Sequence, residues 1–463
     1  MSYLFIACIL SVSLPDFSRA GCETEINSNI PANRVTITDF GAIPNDEFDD
    51  SKAINAAIDS LSKTGGTVVF PQGKFVLEER VFIRTNNIRL LGNETTLFCP
   101  NPLADIYGEN KNWSWSSGFL ILSPKGKTSQ LGNVSQPAKD GATELHIHWS
   151  GEHPVSGEWI QILWHNDIGK DSLLKWLYGN EVPESMYGKE MQESVSPRIR
   201  SWFKVVAVGE NTLSIDPPLP APIDLAWNPV VMKVPSLQNC IVENFNFEFV
   251  KSKYPGHLKE RGHNAIAGSA LVECIIKNIK TKHADSGIIL GNCGFTTLRE
   301  IIIQGRYMHH PISLSWCSHC LVEDFEIDAP HRHGTTISWS SHFNVFHQGS
   351  GNELAMDSHR ACSFRNLHED IVINHGEAPL QPMRSGGSGP RGLHAARENV
   401  YWNIEHVFPT KGPAFAIKYM KGWPLGTFVG WHGNRKINIK PYWDGQTVLR
   451  VDSNPQTPLF GLE

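Results

Sequence analysis

Charge is scarce in this 463-residue chain, with Asp, Glu, Lys and Arg making up 19% of it. A coiled coil or a long solvated helix needs far more. Cations are not in surplus either: 41 Lys and Arg stand against 47 Asp and Glu, a formal charge of −6. That excludes a general nucleic-acid binder, which neutralises phosphates with excess Lys and Arg. Beyond the first residues no apolar run approaches the ~18 residues of a membrane span, so no membrane span is expected. No second Cys-x-x-Cys accompanies Cys317-Ser318-His319-Cys320, which leaves a structural zinc site without half its ligands. The Gly-rich run 385–392 lacks the lysine and following helix of a phosphate loop. Hairpin dipeptides between apolar runs are sparse, which argues against an antiparallel sandwich.

What the chain does have is 39 Gly, 29 Pro, 14 Trp and 20 His, with 40% hydrophobic residues. That apolar content builds a large core and rules out disorder. The length fits one large domain or two to three ordinary ones. Residues 3–14, YLFIACILSVSL, have the length of a signal-peptide core, and Ser18-Arg19-Ala20 offers small residues where a signal peptidase reads. The expectation is a signal peptide over 1–20 and a secreted or periplasmic product. Without Cys8, eight Cys remain, and the apolar neighbours of Cys274, Cys293 and Cys362 mark them as buried packing residues.

Residues 35–77, VTITDFGAIPNDEFDDSKAINAAIDSLSKTGGTVVFPQGKFVL, read as a strand, a polar turn, an amphipathic helix and a β-rich run. Asp49 or Asp50 can cap that helix, whose apolar face is Ala53, Ile54, Ala57, Ile58 and Leu61. Asp39-Phe40-Gly41-Ala42, Asp49-Asp50 and Gly65-Gly66-Thr67-Val68-Val69-Phe70-Pro71 resemble the N-terminal entry of the pectate-lyase-like and polygalacturonase-like superfamily. The resemblance covers about forty residues and implies an all-β chain, a single-stranded right-handed parallel β-helix with an N-terminal capping helix.

A repeat points the same way. A polar residue followed by an apolar one recurs at Asn244-Phe245, Asn278-Ile279, Glu300-Ile301, Asp324-Phe325, Asn366-Leu367 and Asn403-Ile404. Spacings of one or two coils suit stacked units that bury a common core. GIIL (287–290), ISL (312–314) and TTIS (335–338) fit second strands in those coils. The expected organisation is a cap with the first coils over 21–104, a β-rich insertion with loops over the groove at 105–235, and the main coils over 236–463. The Trp- and Lys-rich stretch 164–202 is expected to lean over the groove.

Fifteen of the 20 His lie between His257 and His406. His283, His309-His310, His331-Arg332-His333, Asp357-Ser358-His359-Arg360 and Arg384 follow at steps of about one coil, which places them on one face. So many ionisable groups on one face suggest a site. Residues 380–440 hold nine Lys and Arg against Glu398 and Glu405, which suits an anionic ligand.

Hydrolysis of a glycosidic bond wants two flanking carboxylates. The polygalacturonase-like signatures are absent in complete form, with Arg261-Gly262-His263 and Ala416-Ile417-Lys418 as echoes, and Asp285, Asp328 and Asp357 are the few acids near the His column. β-Elimination from a uronic acid wants a neutralised carboxylate, a base for the C5 proton and an acid for the leaving oxygen. A His- and Arg-rich groove supplies these. Asp357-Ser358-His359-Arg360 also resembles the Asp-Pro-His-Asp of β-helical alginate epimerases, with Ser and Arg as departures.

The expected function is therefore a carbon–oxygen lyase acting on a uronate-containing polysaccharide or oligosaccharide, by chain cleavage or by dehydration at a chain end. A glycoside hydrolase and a non-catalytic glycan-binding β-helix are the alternatives. His310, His333, Asp357, His359 and Arg360 are the expected catalytic residues, with His359 or His333 as base, His310 as acid or orienting partner, and Arg360 with Arg384 on the carboxylate. His283, His309, His331, Arg384, His394 and Arg397 are the expected substrate binders. No cofactor and no metal-ligating residue is expected; calcium stays open as an alternative, although no Asp cluster for it is found.

Overall fold

The computed structural model describes residues 14–22, 29–449 and 458–460. Among these, a 13-stranded parallel sheet runs from Arg34–Thr36, through Gly66–Phe70 and Ile88–Cys99, to Thr447–Leu449. Its central strands come once per coil: Ile241–Phe249, Ile275–Lys282, Thr297–Gln304, Leu321–Ile327, Val345–Asn352, Leu367–Asn374 and Val400–Val407. A second parallel sheet of seven strands includes Asn264–Ser269, Ser286–Gly291, His310–Ser315, Thr335–Ser338 and Met356–Ser358. A third, narrow face consists of Leu237–Gln238 and Leu271–Val272, continued by single bridges through Gly294, Ser318, His342 and Phe364. The molecule is a parallel β-helix.

Each of the seven central strands of the long sheet carries a local defect that sets the core. Asn244, Asn278, Glu300, Asp324, Gln348, Asp370 and Asn403 all have positive φ and occupy equivalent places in successive coils. The extra residue lets Ile276 and Ile279, three apart, both point inward, and likewise Leu298 and Ile301. The sequence repeat thus reads a bulge, and Asn366-Leu367 is a misassignment within it. Asp370-Ile371 is the bulge of that coil, and Gln348-Gly349 is an unrecognised one before it, where a Cβ on Gly349 would meet the Phe325 ring at 2.0 Å. Asn366 serves the neighbouring turn, where Asn344, Asn366 and Asn399 form a buried ladder of amide bonds, each 2.9 Å.

Inside the coils, Phe346, His368, Tyr401 and Phe428 stack in register with centroids 4.7, 5.1 and 5.1 Å apart. The seven described Cys from Cys99 to Cys362 are buried free thiols.

The capping helix is Ser51–Ser60. Asp50 sits at its N-cap position but its carboxylate accepts from the backbone of Ile43 and Val76, both at 2.9 Å, while Asp49 accepts from Ser51 and Glu78 at 3.0 Å. The acidic pair therefore ties the Asp39–Ala42 turn to the strand Gly73–Val76 as much as it caps. The apolar run 3–14 lies outside the described residues except for Leu14. Phe17 is buried against Leu321, Val345, Leu367 and Trp402 on the long sheet.

Six antiparallel strands between Ser129 and Lys233 close into a barrel that interrupts the coils. The helix Ser172–Tyr178 in one of its connections shares an apolar cluster with Ala361, Cys362 and Phe364 of the β-helix. Trp164 and Trp202 are fully buried, donating to Pro222 O at 3.0 Å and Asn292 O at 2.9 Å. Those two Trp hold the barrel together and to the coils, and do not overhang the groove.

Candidate active site

The corner where the chain enters the second sheet stacks one residue per coil. Backbone N–H groups of Asp285, His309 and His333 donate to the carbonyls of His263, Asp285 and His309 at 2.6, 2.8 and 3.0 Å. One strand position further on, Thr336 and Asp357 lie side by side in register. Coil stacking thereby gathers His309, His310, His333 and His359 around Asp357, with ring centroids 4.2 to 5.7 Å apart between neighbours.

Each imidazole is anchored through Nδ1. His333 and His359 meet the same Asp357 oxygen, Oδ2, at 2.9 and 2.8 Å. His310 Nδ1 lies 3.1 Å from Thr336 Oγ1, whose hydroxyl donates to Asp357 Oδ2 at 3.3 Å. His309 Nδ1 lies 2.7 Å from the carbonyl of Ser114. A carbonyl and a carboxylate only accept, so the neutral form of His309, His333 and His359 is the tautomer with its proton on Nδ1 and a lone pair at Nε2. The other Asp357 oxygen accepts from Gly386 N at 2.9 Å. A Cβ at Gly386 would stand 2.3 Å from His333 Cε1 and 2.5 Å from His359 Cε1, so only glycine lets this loop close on the two rings.

Electrostatics follow from burial. Desolvation opposes the Asp357 charge, but the His359 and His333 rings more than offset it and hold the carboxyl well below its usual range. Burial, then the neighbouring His333, lowers His309 to about 3. Burial and the surrounding imidazoles push His310 well below its ordinary value. Of the anchored rings, His359 is the one that opens to solvent, its side chain 21% exposed against 4% for His333.

Several expected roles are corrected. His310 is fully enclosed and held neutral, which removes it as the acid. Arg360 spends its donors on Gly387 O (3.1 Å), Gly392 O and His394 Nε2 (3.5 Å). Arg384 bonds Gln381 O (3.1 Å), Glu353 O and His331 Nε2 (3.4 Å). Both arginines thus spend part of their donor set pinning the loop that follows the site. His331 is buried with Nδ1 on Ala329 O at 2.9 Å, and burial lowers it to about 4. His283 stands apart, accepting from Arg306 N at 3.2 Å. His394 stacks on Trp423 at 5.4 Å, while Arg397 lies over Trp176 and pairs with Glu398 at 2.8 Å. Asp285 is consumed by Arg306 (2.6 Å) and the backbone of residues 261–263. The local cationic excess is dispersed too, since Arg391 pairs with Glu190.

Sequence reasoning passed over other members of the site. His257 sits on the loop before Asn264–Ser269, with ring centroids 5.0 Å from His309 and 5.8 Å from His333. Glu260 lies 3.6 Å from His309 and accepts from the Tyr254 hydroxyl. Tyr307, 40% exposed, packs on Tyr254 at 4.9 Å. Arg332 is exposed beside His257 and makes no ion pair among the described residues. His257 was readable in the His-rich half, but loop residues without coil spacing carry no register signal.

Residues 34–101 match the family model described as rhamnogalacturonase A/epimerase, pectate lyase-like. These first coils are pectate-lyase-like. Iota-carrageenase of Zobellia galactanivorans is 41% identical over 64 residues, 14% of this chain and 13% of that protein. The chain thus spans about an eighth of the length of the curated relative it matches. Among solved structures, the Pseudomonas phage phi297 tailspike gp61 aligns over 92% of this chain and 78% of its own, with 11% identity and a TM-score of 0.48. The A-module of Azotobacter vinelandii mannuronan C-5 epimerase AlgE4 aligns over 93% and 98%, with 10% identity and a TM-score of 0.42. Among the described residues no helix is long and apolar enough to cross a membrane.

Proposed function

We propose that the chain is a carbon–oxygen lyase that works by β-elimination on a uronic-acid-containing polysaccharide or oligosaccharide outside the cytoplasm. The observation that carries this reading is His359, which is anchored by Asp357 through Nδ1 and is the ring of the cluster that opens to solvent. A neutral imidazole with a fixed tautomer is a suitable base near neutral pH, and the buried carboxylate stabilises the imidazolium that forms. His359 takes the C5 proton, and the C5–H electrons become the C4–C5 double bond. The C4–O bond breaks and its oxygen leaves with a proton from Tyr307, the exposed phenol we assign as acid. Arg332 pairs with the uronate carboxylate, which makes the C5 proton acidic.

Hydrolysis finds less support. Within the cluster the carboxylates are Asp357 and Glu260, both with side chains fully buried, Asp357 bonded through both oxygens and Glu260 through Oε1 to Tyr254. Neither is placed to flank a glycosidic bond as the two-carboxylate mechanisms require. The stretch shared with iota-carrageenase supports a glycan substrate.

The test is the His359→Gln variant on a uronate polymer that the parent protein cleaves. Elimination is expected to fall at least about 100-fold with the melting temperature unchanged. Unimpaired elimination would remove His359 as base.

A further inference from the structure

His257, His309 and His333 each offer one nitrogen within 4.8 Å of the others. Two of the three are pre-set as ligands. Nε2 of His309 and Nε2 of His333 are buried and have no hydrogen-bond partner, while each Nδ1 is held by a group that only accepts, the Ser114 carbonyl and the Asp357 carboxylate. An unpartnered buried nitrogen is costly. Two such nitrogens in one cluster, each ring oriented from behind by an oxygen, match the arrangement that metal-binding histidines use. Both residues are at most 3% exposed, whereas His257 stands on the exposed loop above them.

The geometry points to a divalent transition-metal site formed by His257, His309 and His333. Nitrogens around one tetrahedral zinc lie about 3.3 Å apart, given Zn–N bonds of about 2.0 Å. All three pairs lie within 4.8 Å, so ligation draws the nitrogens together, with the exposed His257 the least packed of the three. Three neutral imidazoles select zinc, cobalt or nickel over calcium, which wants oxygen ligands. Three protein ligands leave a position open on the His257 side. On the lyase reading proposed above, that position takes a substrate carboxylate oxygen beside Arg332. His333 is then a ligand and His359 is left alone as base. A second grouping, His333, Asp357 and His359, already has both Nδ1 atoms hydrogen-bonded to the Asp357 carboxylate at 2.9 and 2.8 Å, so a metal there would have to displace those bonds.

The experiment is cobalt(II) titration of chelator-stripped protein without substrate, followed by visible ligand-field absorption and calorimetry. One equivalent is expected to bind with bands of low-coordinate nitrogen ligation. His257→Ala and His309→Gln should each weaken binding at least tenfold, and His359→Gln should leave it unchanged. His257→Ala alters only an exposed loop, so its loss of binding is separable from misfolding. Absence of stoichiometric binding, or loss in His359→Gln with retention in His257→Ala, would overturn the site. Because binding is read without substrate, the metal site stands or falls on its own; a metal-loaded protein that yields no unsaturated product when uronate polymers are then added would defeat the lyase reading alone.

Discussion

At Asp357 a single oxygen, Oδ2, accepts from two imidazoles and from the Thr336 hydroxyl. Exchanging it for an amide keeps the shape and removes one acceptor. Asp357→Asn is expected to lower turnover about 10²–10⁴-fold through a misoriented His359, with little change in KM, as steady-state kinetics would read. Gly386→Ala tests the close approach, since its methyl would stand 2.3 Å from His333. That variant should keep its far-ultraviolet dichroism and lose most activity; full activity would mean the loop has room to spare. At this scale the sequence was partly legible. His309, His310, His333, Asp357 and His359 could be grouped because β-helix coils convert sequence steps into stacking. The arginines misled because guanidinium groups satisfy loop carbonyls as readily as ligands, and nothing in sequence separates the two uses.

The unit that repeats along the long sheet is the bulge, and its left-handed residue has a cost where the side chain is neither Asn nor Asp. Glu300 has φ 56° there. Glu300→Asn is expected to stabilise the protein by about 0.5–1 kcal/mol, measured by chemical denaturation, because Asn tolerates that region better. In the turn ladder the sign reverses. Asn366 donates to Asn399 and accepts from Asn344 while bonding two carbonyls, so Asn366→Ala should cost about 2–3 kcal/mol. The polar-then-apolar repeat found the bulge at five of its six positions, the first four in unbroken succession. It slipped at Asn366 because Asn suits both a bulge and a stacked turn.

Over the whole molecule, many imidazoles are buried in the neutral form. Burial lowers His368 to about 3 and His342 to about 4, from an ordinary 6.5. Between about pH 6.5 and pH 4 the unfolded chain takes up protons that these folded sites refuse, so stability falls as pH falls. Each such group contributes up to ~1.4 kcal/mol per pH unit in that window. The melting temperature should drop steeply across it, and His368→Phe, which preserves the ring stack, should lessen the slope. The coil architecture was legible from the N-terminal motif and from the repeat. The closure of the insertion into a barrel was not, because antiparallel pairing across long connections leaves no periodic trace.

The central claim is that the cluster removes a proton at C5 and forms a double bond. Its most direct test follows ultraviolet absorbance of the unsaturated uronate and the appearance of reducing ends in parallel, over a panel of uronate polymers and oligomers. Absorbance rising with new ends, or without them at a dehydrated chain end, is the expected result. New reducing ends with no unsaturated product would contradict it and make the protein a hydrolase.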